Sequence, residues 1–134
     1  MTFDELNQHL EILRDLQRAQ ERLKRLYDKA YPGAQNLDGM PHGSGVRDKV
    51  GELAVEIAEY ETEVNSLRES VKASGHNVEQ FIASVNDMDM RLILRLRFQR
   101  GFLWKEVADY CGKCDTSQSI SQKVYDWFKA RENP

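Results

Sequence analysis

A chain of 134 residues has the length of one domain, or of one small domain with an appendage, which excludes a large multidomain enzyme. It is 40% hydrophobic, 31% charged and only 9% aromatic, the inventory of a helical or coiled-coil protein rather than of a thick-cored one. The formal net charge of -3 argues against an indiscriminate nucleic-acid binder. No run approaches the ~20 apolar residues of a membrane span, and residues 1–30 are too charged for a secretory signal. A cytoplasmic protein without membrane contact is expected.

The total charge hides two opposite halves. Residues 1–87 carry 10 Lys and Arg against 16 Asp and Glu, net -6; residues 88–134 carry 9 against 6, net +3. This asymmetry predicts an acidic module joined to a basic one, and the basic end is where a polyanion would be met.

The first helix is announced by Thr2-Phe3-Asp4-Glu5, a capping box. Leu6, Leu10, Leu13, Leu16, Leu23, Leu26 and Ala30 then recur at helical spacing until Pro32-Gly33 stops the run, which predicts a helix over about 3–30. Residues 31–45 hold four of the 8 glycines and two of the 3 prolines and read as a loop, long enough to count as a candidate site. From Val46 through Val50, Leu53, Ile57, Tyr60, Val64, Leu67 and Val71, a heptad seam alternates steps of 4 and 3. Ser74, Val78, Phe81 and Val85 continue it, predicting one helix over about 46–86, with Gly75 as a possible kink or break.

Two charged rows flank these seams: Arg18, Arg22, Arg25 and Lys29 on the first helix, and Glu52, Glu56, Glu59 and Glu63 on the second. In an antiparallel pair, facing residues have a constant index sum, and here each pairing adds to 81. The rows therefore predict an antiparallel coiled-coil hairpin over residues 1–86 that folds back near Met40-Pro41. Each exposed pair is worth only ~0.2–1 kcal/mol, so the rows choose orientation while the apolar seam supplies stability. Glu56 and Glu59 have the spacing of a divalent-metal pair, but a basic row opposite would neutralise them and no second carboxylate pair matches. Residues 39–49 are glycine-rich and end in lysine, yet lack the spacing of a phosphate loop and the strand that would precede it.

In residues 87–134, Asp87 reads as an N-cap and residues 88–100 as a helix of alternating apolar and basic side chains closed by Gly101. A short helix over 103–110 follows, with Ala108 inside and Gly112 after it; a polar stretch then leads into a helix from Gln118. That order is a helix-turn-helix pattern: a small residue where two helices cross, a glycine for the turn, and Ile120, Val124 and Trp127 pinning the second helix. Gln118, Ser121, Gln122 and Tyr125 then carry the amides and hydroxyls that read base edges, while Lys105, Lys113, Lys123 and Lys129 suit phosphates of double-stranded DNA. Cys111-x-x-Cys114 is half a zinc site at most; no second pair exists and the three histidines lie far away in sequence.

Three segments carry a family resemblance. Met40-Pro41-His42-Gly43-Ser44-Gly45-Val46-Arg47-Asp48-Lys49-Val50, the stretch from Arg91 to Phe98, and Trp104-Lys105-Glu106-Val107-Ala108 resemble small phage-encoded transcriptional regulators with a coiled-coil N-terminus and a sigma-70 region-4-like helix-turn-helix. The resemblance implies promoter DNA binding in a bacterial host cell, with contact to host RNA polymerase. In that family's pattern the first buried apolar residue of the recognition helix falls about six after the glycine, which here is Gln118; the apolar residue is Ile120. The turn through Cys111 to Asp115 is thus expected to be two residues longer than in the pattern.

No nucleophile with a neighbouring base and no metal set emerges, so neither an enzyme nor a cofactor is expected. The leading expectation is a DNA-binding transcriptional regulator, as a monomer or homodimer. Two alternatives are a DNA-packaging protein such as a small terminase subunit, which would form a large ring, and a helical adaptor that binds only protein.

Overall fold

The computed structural model describes residues 1–31, 44–112 and 116–132, with 44–50 as backbone. Every regular element among them is helical: α1 (Phe3–Ala30), α2 (Ser44–Ala83), α3 (Met88–Leu94), a π-helical turn (Arg95–Gln99), α4 (Trp104–Cys111) and α5 (Ser117–Glu132). Most of the loop 31–45, with the Met40-Pro41 fold-back point, and the stretch 113–115, with Lys113 and Cys114, lie outside the described residues. Among the described residues no helix is long and apolar enough to cross a membrane. Packing divides the chain into two compact units, Met1–Arg14 with Ser70–Pro134, and Asp15–Glu69. The sequence reading set its boundary at residue 86 from charge and capping; one apolar core takes side chains from both sides of that point.

In the first unit the helix ends follow local chemistry. The Thr2 N–H donates to the Glu5 carboxylate at 3.1 Å and the Glu5 N–H to the Thr2 hydroxyl at 3.2 Å, the reciprocal capping box. Asp87 caps α3 by accepting from the N–H groups of Asp89 and Met90. The expected helix over 88–100 divides into α3 and a wider π turn. Leu94, Leu96 and Phe98 are all buried although a two-residue step puts neighbours on opposite helix sides, so the core covers this stretch from both. Gly101, at φ 73°, closes it in a conformation that a side chain would strain. The Phe102 N–H donates to the Leu96 carbonyl six residues back, one more than in an ordinary Schellman closure, because the π turn is one residue wider. At the start of α5, Thr116 and Ser119 exchange backbone-to-hydroxyl bonds of 2.9 and 3.1 Å, a cap that begins the helix before Gln118.

The core of this unit joins Leu6 and Leu10 of α1, Val78 and Ile82 of α2, Val107 of α4, and Ile120, Val124 and Phe128 of α5. Phe128 lies 5.2 Å from Phe3 and 5.9 Å from Phe81, ring centroid to centroid. Such aromatic pairs add about 0.5–1.5 kcal/mol each beyond the area they bury. α2 runs unbroken through Gly75, and a Cβ there would stand 3.7 Å from the His9 ring, an ordinary contact. His9 is the buried polar side chain of this core, 4% exposed, with Nδ1 2.5 Å from the Ser74 hydroxyl. The Ser74 hydroxyl also lies within hydrogen-bond distance of the Ser70 carbonyl, 3.1 Å away.

In the second unit Leu16, Ala30, Ile57 and Val64 are buried, seam positions that periodicity selects, and Ala19 is buried with them. The charged rows behave differently from expectation. Arg18 pairs with Asp15 of its own helix, and Arg22, Arg25, Lys29, Glu52, Glu56, Glu59 and Glu63 are all exposed. Among the described residues no ion pair joins the two rows. In this unit a bond from the Tyr27 hydroxyl to the Glu61 carboxylate links α1 to α2. Exposed ion pairs contribute too little to compete with burial of the seam.

Two outcomes test this packing. Ile120 is 1% exposed whereas Gln118 is exposed, so Ile120→Ala should lose about 2–5 kcal/mol of unfolding free energy and Gln118→Ala should stay within about 0.5 kcal/mol of the parent in denaturant titration. Burial lowers the His9 pKa below its ordinary 6.5, so the unfolded chain binds a proton more readily than the folded one. The stability of the parent relative to His9→Leu should therefore be complete above 6.5 and decline as pH falls below it, measured as the difference between their denaturation midpoints at pH values on either side.

Candidate nucleic-acid interface

The face of α5 turned away from the core is set by its own apolar residues. Ile120, Val124 and Phe128 are buried at i, i+4 and i+8, and Trp127 is half-buried beside them. Phe128 takes the central place expected of Trp127, whose ring is covered on one side by the Arg131 guanidinium at 4.8 Å. At 100° per residue, Gln118, Gln122, Asp126 and Lys129 fall on the opposite side, and all four are exposed. This ridge brings together three of the residues that the sequence assigned to DNA.

The other assigned residues lie elsewhere. Ser121 is half-buried, and its hydroxyl donates to the Gln118 carbonyl at 3.0 Å. Tyr125 is 50% exposed on the flank of α5, its ring edge-on to Phe3 at 6.3 Å. Lys129 borders a pocket of about 140 Å³ with Asp4 and Glu132 close by. Lys123 is on the other flank, at a pocket of about 260 Å³ that it shares with Asp89, Leu92 and Tyr110. Lys105 is exposed on α4 among Glu106 and Asp109, and Lys113 lies outside the described residues. α4 packs against α5 with the small Ala108 buried, and Gly112, at φ 65°, ends α4 in a backbone state that favours glycine.

Asp126 is a neighbour on this ridge that the sequence reading missed. It sits one turn beyond Gln122, and the Gln122 side-chain amide donates to its carboxylate at 2.9 Å. The i, i+4 spacing of a glutamine and an aspartate was the available signal. The bond occupies the Gln122 amide nitrogen and puts a negative charge in the middle of the ridge.

Arg97 is a basic residue of the C-terminal half that packing uses. Its Nη1 donates to the Phe102 carbonyl at 2.9 Å, and its guanidinium lies 4.4 Å from the Trp104 ring centroid. Burial, with the nearby Arg14 charge second, lowers its pKa to about 10, so it stays cationic near neutral pH. Among the described residues no group of three His, Cys, Asp or Glu side chains is placed to hold a metal, and Cys111 is half-buried at the end of α4.

A lysine cannot reproduce the planar stack and fork of Arg97, so Arg97→Lys should lower unfolding free energy by about 1–3 kcal/mol in denaturant titration.

Comparison with family models, with curated proteins and with solved structures yields no match to this chain.

Proposed function

We propose that the chain is a sequence-specific, double-stranded DNA-binding transcriptional regulator, with an antiparallel helical hairpin in residues 1–86 and a helix-turn-helix module in residues 87–134. The observation that carries the reading is the α5 ridge: Gln118, Gln122 and Lys129 stand free of the core on a helix anchored by three buried side chains. A major groove admits an α-helix, and a glutamine amide matches the donor–acceptor pair on an adenine edge. The small Ala108 and the left-handed Gly112 supply what a close helix crossing and a turn require. The hairpin is supported by two bonds whose indices run in opposite senses, His9 to Ser74 and Tyr27 to Glu61.

Asp126 shapes the expected behaviour. A carboxylate on the reading face repels phosphates from random DNA, so tight binding requires a site whose bases engage the Gln122 amide it orients. Specificity then comes from the glutamines and affinity from a few lysines, in keeping with a chain of net charge -3.

Selection from fragmented genomic DNA, followed by anisotropy titration on the selected and a scrambled duplex, tests the reading. Gln122→Ala should relax preference at one base step by about 1–3 kcal/mol without changing the salt slope. Asp126→Asn should tighten binding to both duplexes, and Lys123→Ala should weaken both about equally. No selected sequence, or an affinity that does not respond to salt, would overturn the proposal.

A further inference from the structure

Among the described residues the second unit leaves two charged rows that do not pair with each other. Arg22, Arg25 and Lys29 stand exposed on α1, and Glu52, Glu56 and Glu59 stand exposed on α2; none of the six meets an opposite charge of the other row within the chain. Counted with Arg18 and Glu63, both rows advance by the same steps of 4, 3 and 4 residues. Two combs of the same pitch and opposite sign match along their whole length, and because 4, 3, 4 reads the same in both directions, they match in either orientation.

Between the basic side chains the surface is apolar. Arg22, Arg25 and Lys29, with Asp28, rim a groove of about 410 Å³ whose floor is Leu26 and Tyr60. A groove with an apolar floor and a cationic rim fits a helix that presents a row of carboxylates flanked by an apolar side chain, which is what α2 of this chain offers: Glu52, Glu56 and Glu59 are exposed, and Val55 beside them is 65% exposed.

We infer that a second copy of the chain docks here, forming a two-fold dimer in which the Arg22–Arg25–Lys29 row of each protomer faces the Glu52–Glu56–Glu59 row of its partner. A two-fold axis makes the contact self-complementary: each protomer contributes one basic and one acidic row, the basic–acidic contact is made twice, and the assembly closes at two chains. The same charges that fail to pair within one chain are thus specified between two. This inference does not depend on DNA binding.

Sedimentation equilibrium on the full chain tests it. The parent should be a dimer at low salt, with a Kd that rises at least about tenfold at ~1 M salt. A basic-row variant (Arg22→Glu, Arg25→Glu, Lys29→Glu) and an acidic-row variant (Glu52→Lys, Glu56→Lys, Glu59→Lys) should each lose self-association by about tenfold or more while keeping their helical circular dichroism. Mixed in equal amounts, the two should form a heterodimer, since every facing pair is again opposite in sign. Rows that pair within one chain would give the contrary result, loss of thermal stability in each variant and no rescue on mixing. A milder set (Arg22→Gln, Arg25→Gln, Lys29→Gln) gives the same readout if a reversal unfolds the chain. A parent that is monomeric at about 100 μM, an assembly larger than two chains, or a mixture no tighter than its components overturns the inference; a monomer would leave the groove to a foreign acidic helix or to solvent.

Discussion

The Phe128 ring is where three segments distant in sequence meet. It touches Phe3 at the start of α1, Phe81 near the end of α2, and Trp127 beside it on α5. With Ile120 and Val124 it fixes both the depth and the rotation of α5, because a helix buried at i, i+4 and i+8 has one inward direction left. The identity of the exposed ridge follows from that rotation alone: turning α5 by one residue, 100°, would send Gln118 and Gln122 toward the core. Any DNA-reading role of this helix therefore rests on apolar packing that itself touches no DNA.

Charge in this protein is arranged by what packing leaves over. In the unit of residues 15–69, burial of Leu16, Ala19, Ile57 and Val64 sets the register, and the exposed rows are carried wherever the seam puts them. At about 25 cal/mol per Å² of apolar surface, one buried leucine outweighs several exposed ion pairs. Rows that are idle within a chain remain available between chains. The polar exceptions inside the first unit obey the opposite economy. His9 Nδ1 meets the Ser74 hydroxyl, and Arg97 gives Nη1 to a carbonyl and its face to an aromatic ring while its buried Nε has no hydrogen-bond partner among the described residues, a cost that an exposed group would not bear.

The ridge of α5 combines an attraction and a repulsion. On the proposed reading, Lys129 would favour phosphate, Asp126 would oppose it, and the Gln122 amide held by Asp126 would distinguish one sequence from another. Such a reader gives up non-specific affinity for discrimination. The bond between Gln122 and Asp126 also pre-orients the amide, which lowers the ordering cost of a base contact.

Local chemistry was legible in the sequence. The Thr2–Glu5 capping box, the Asp87 cap, the glycine stops at Gly101 and Gly112, the extent of α1 and the all-α class follow from spacing and residue type, since the groups that satisfy one another lie within a turn or two along the chain. The burial of Ile120 in place of Gln118 was legible for the same reason, as an apolar residue at helical spacing. Other features were decided only by residues brought together from afar. The charged rows whose indices sum to 81 form no ion pair with each other among the described residues, Phe128 displaced Trp127 because Phe3 and Phe81 converge on it, and the π turn at Arg95–Gln99 accommodates a core pressing from two sides. Sequence spacing specifies which atoms can meet within one helix; which helix faces meet is set by the summed burial of the whole core, a quantity that no single segment contains.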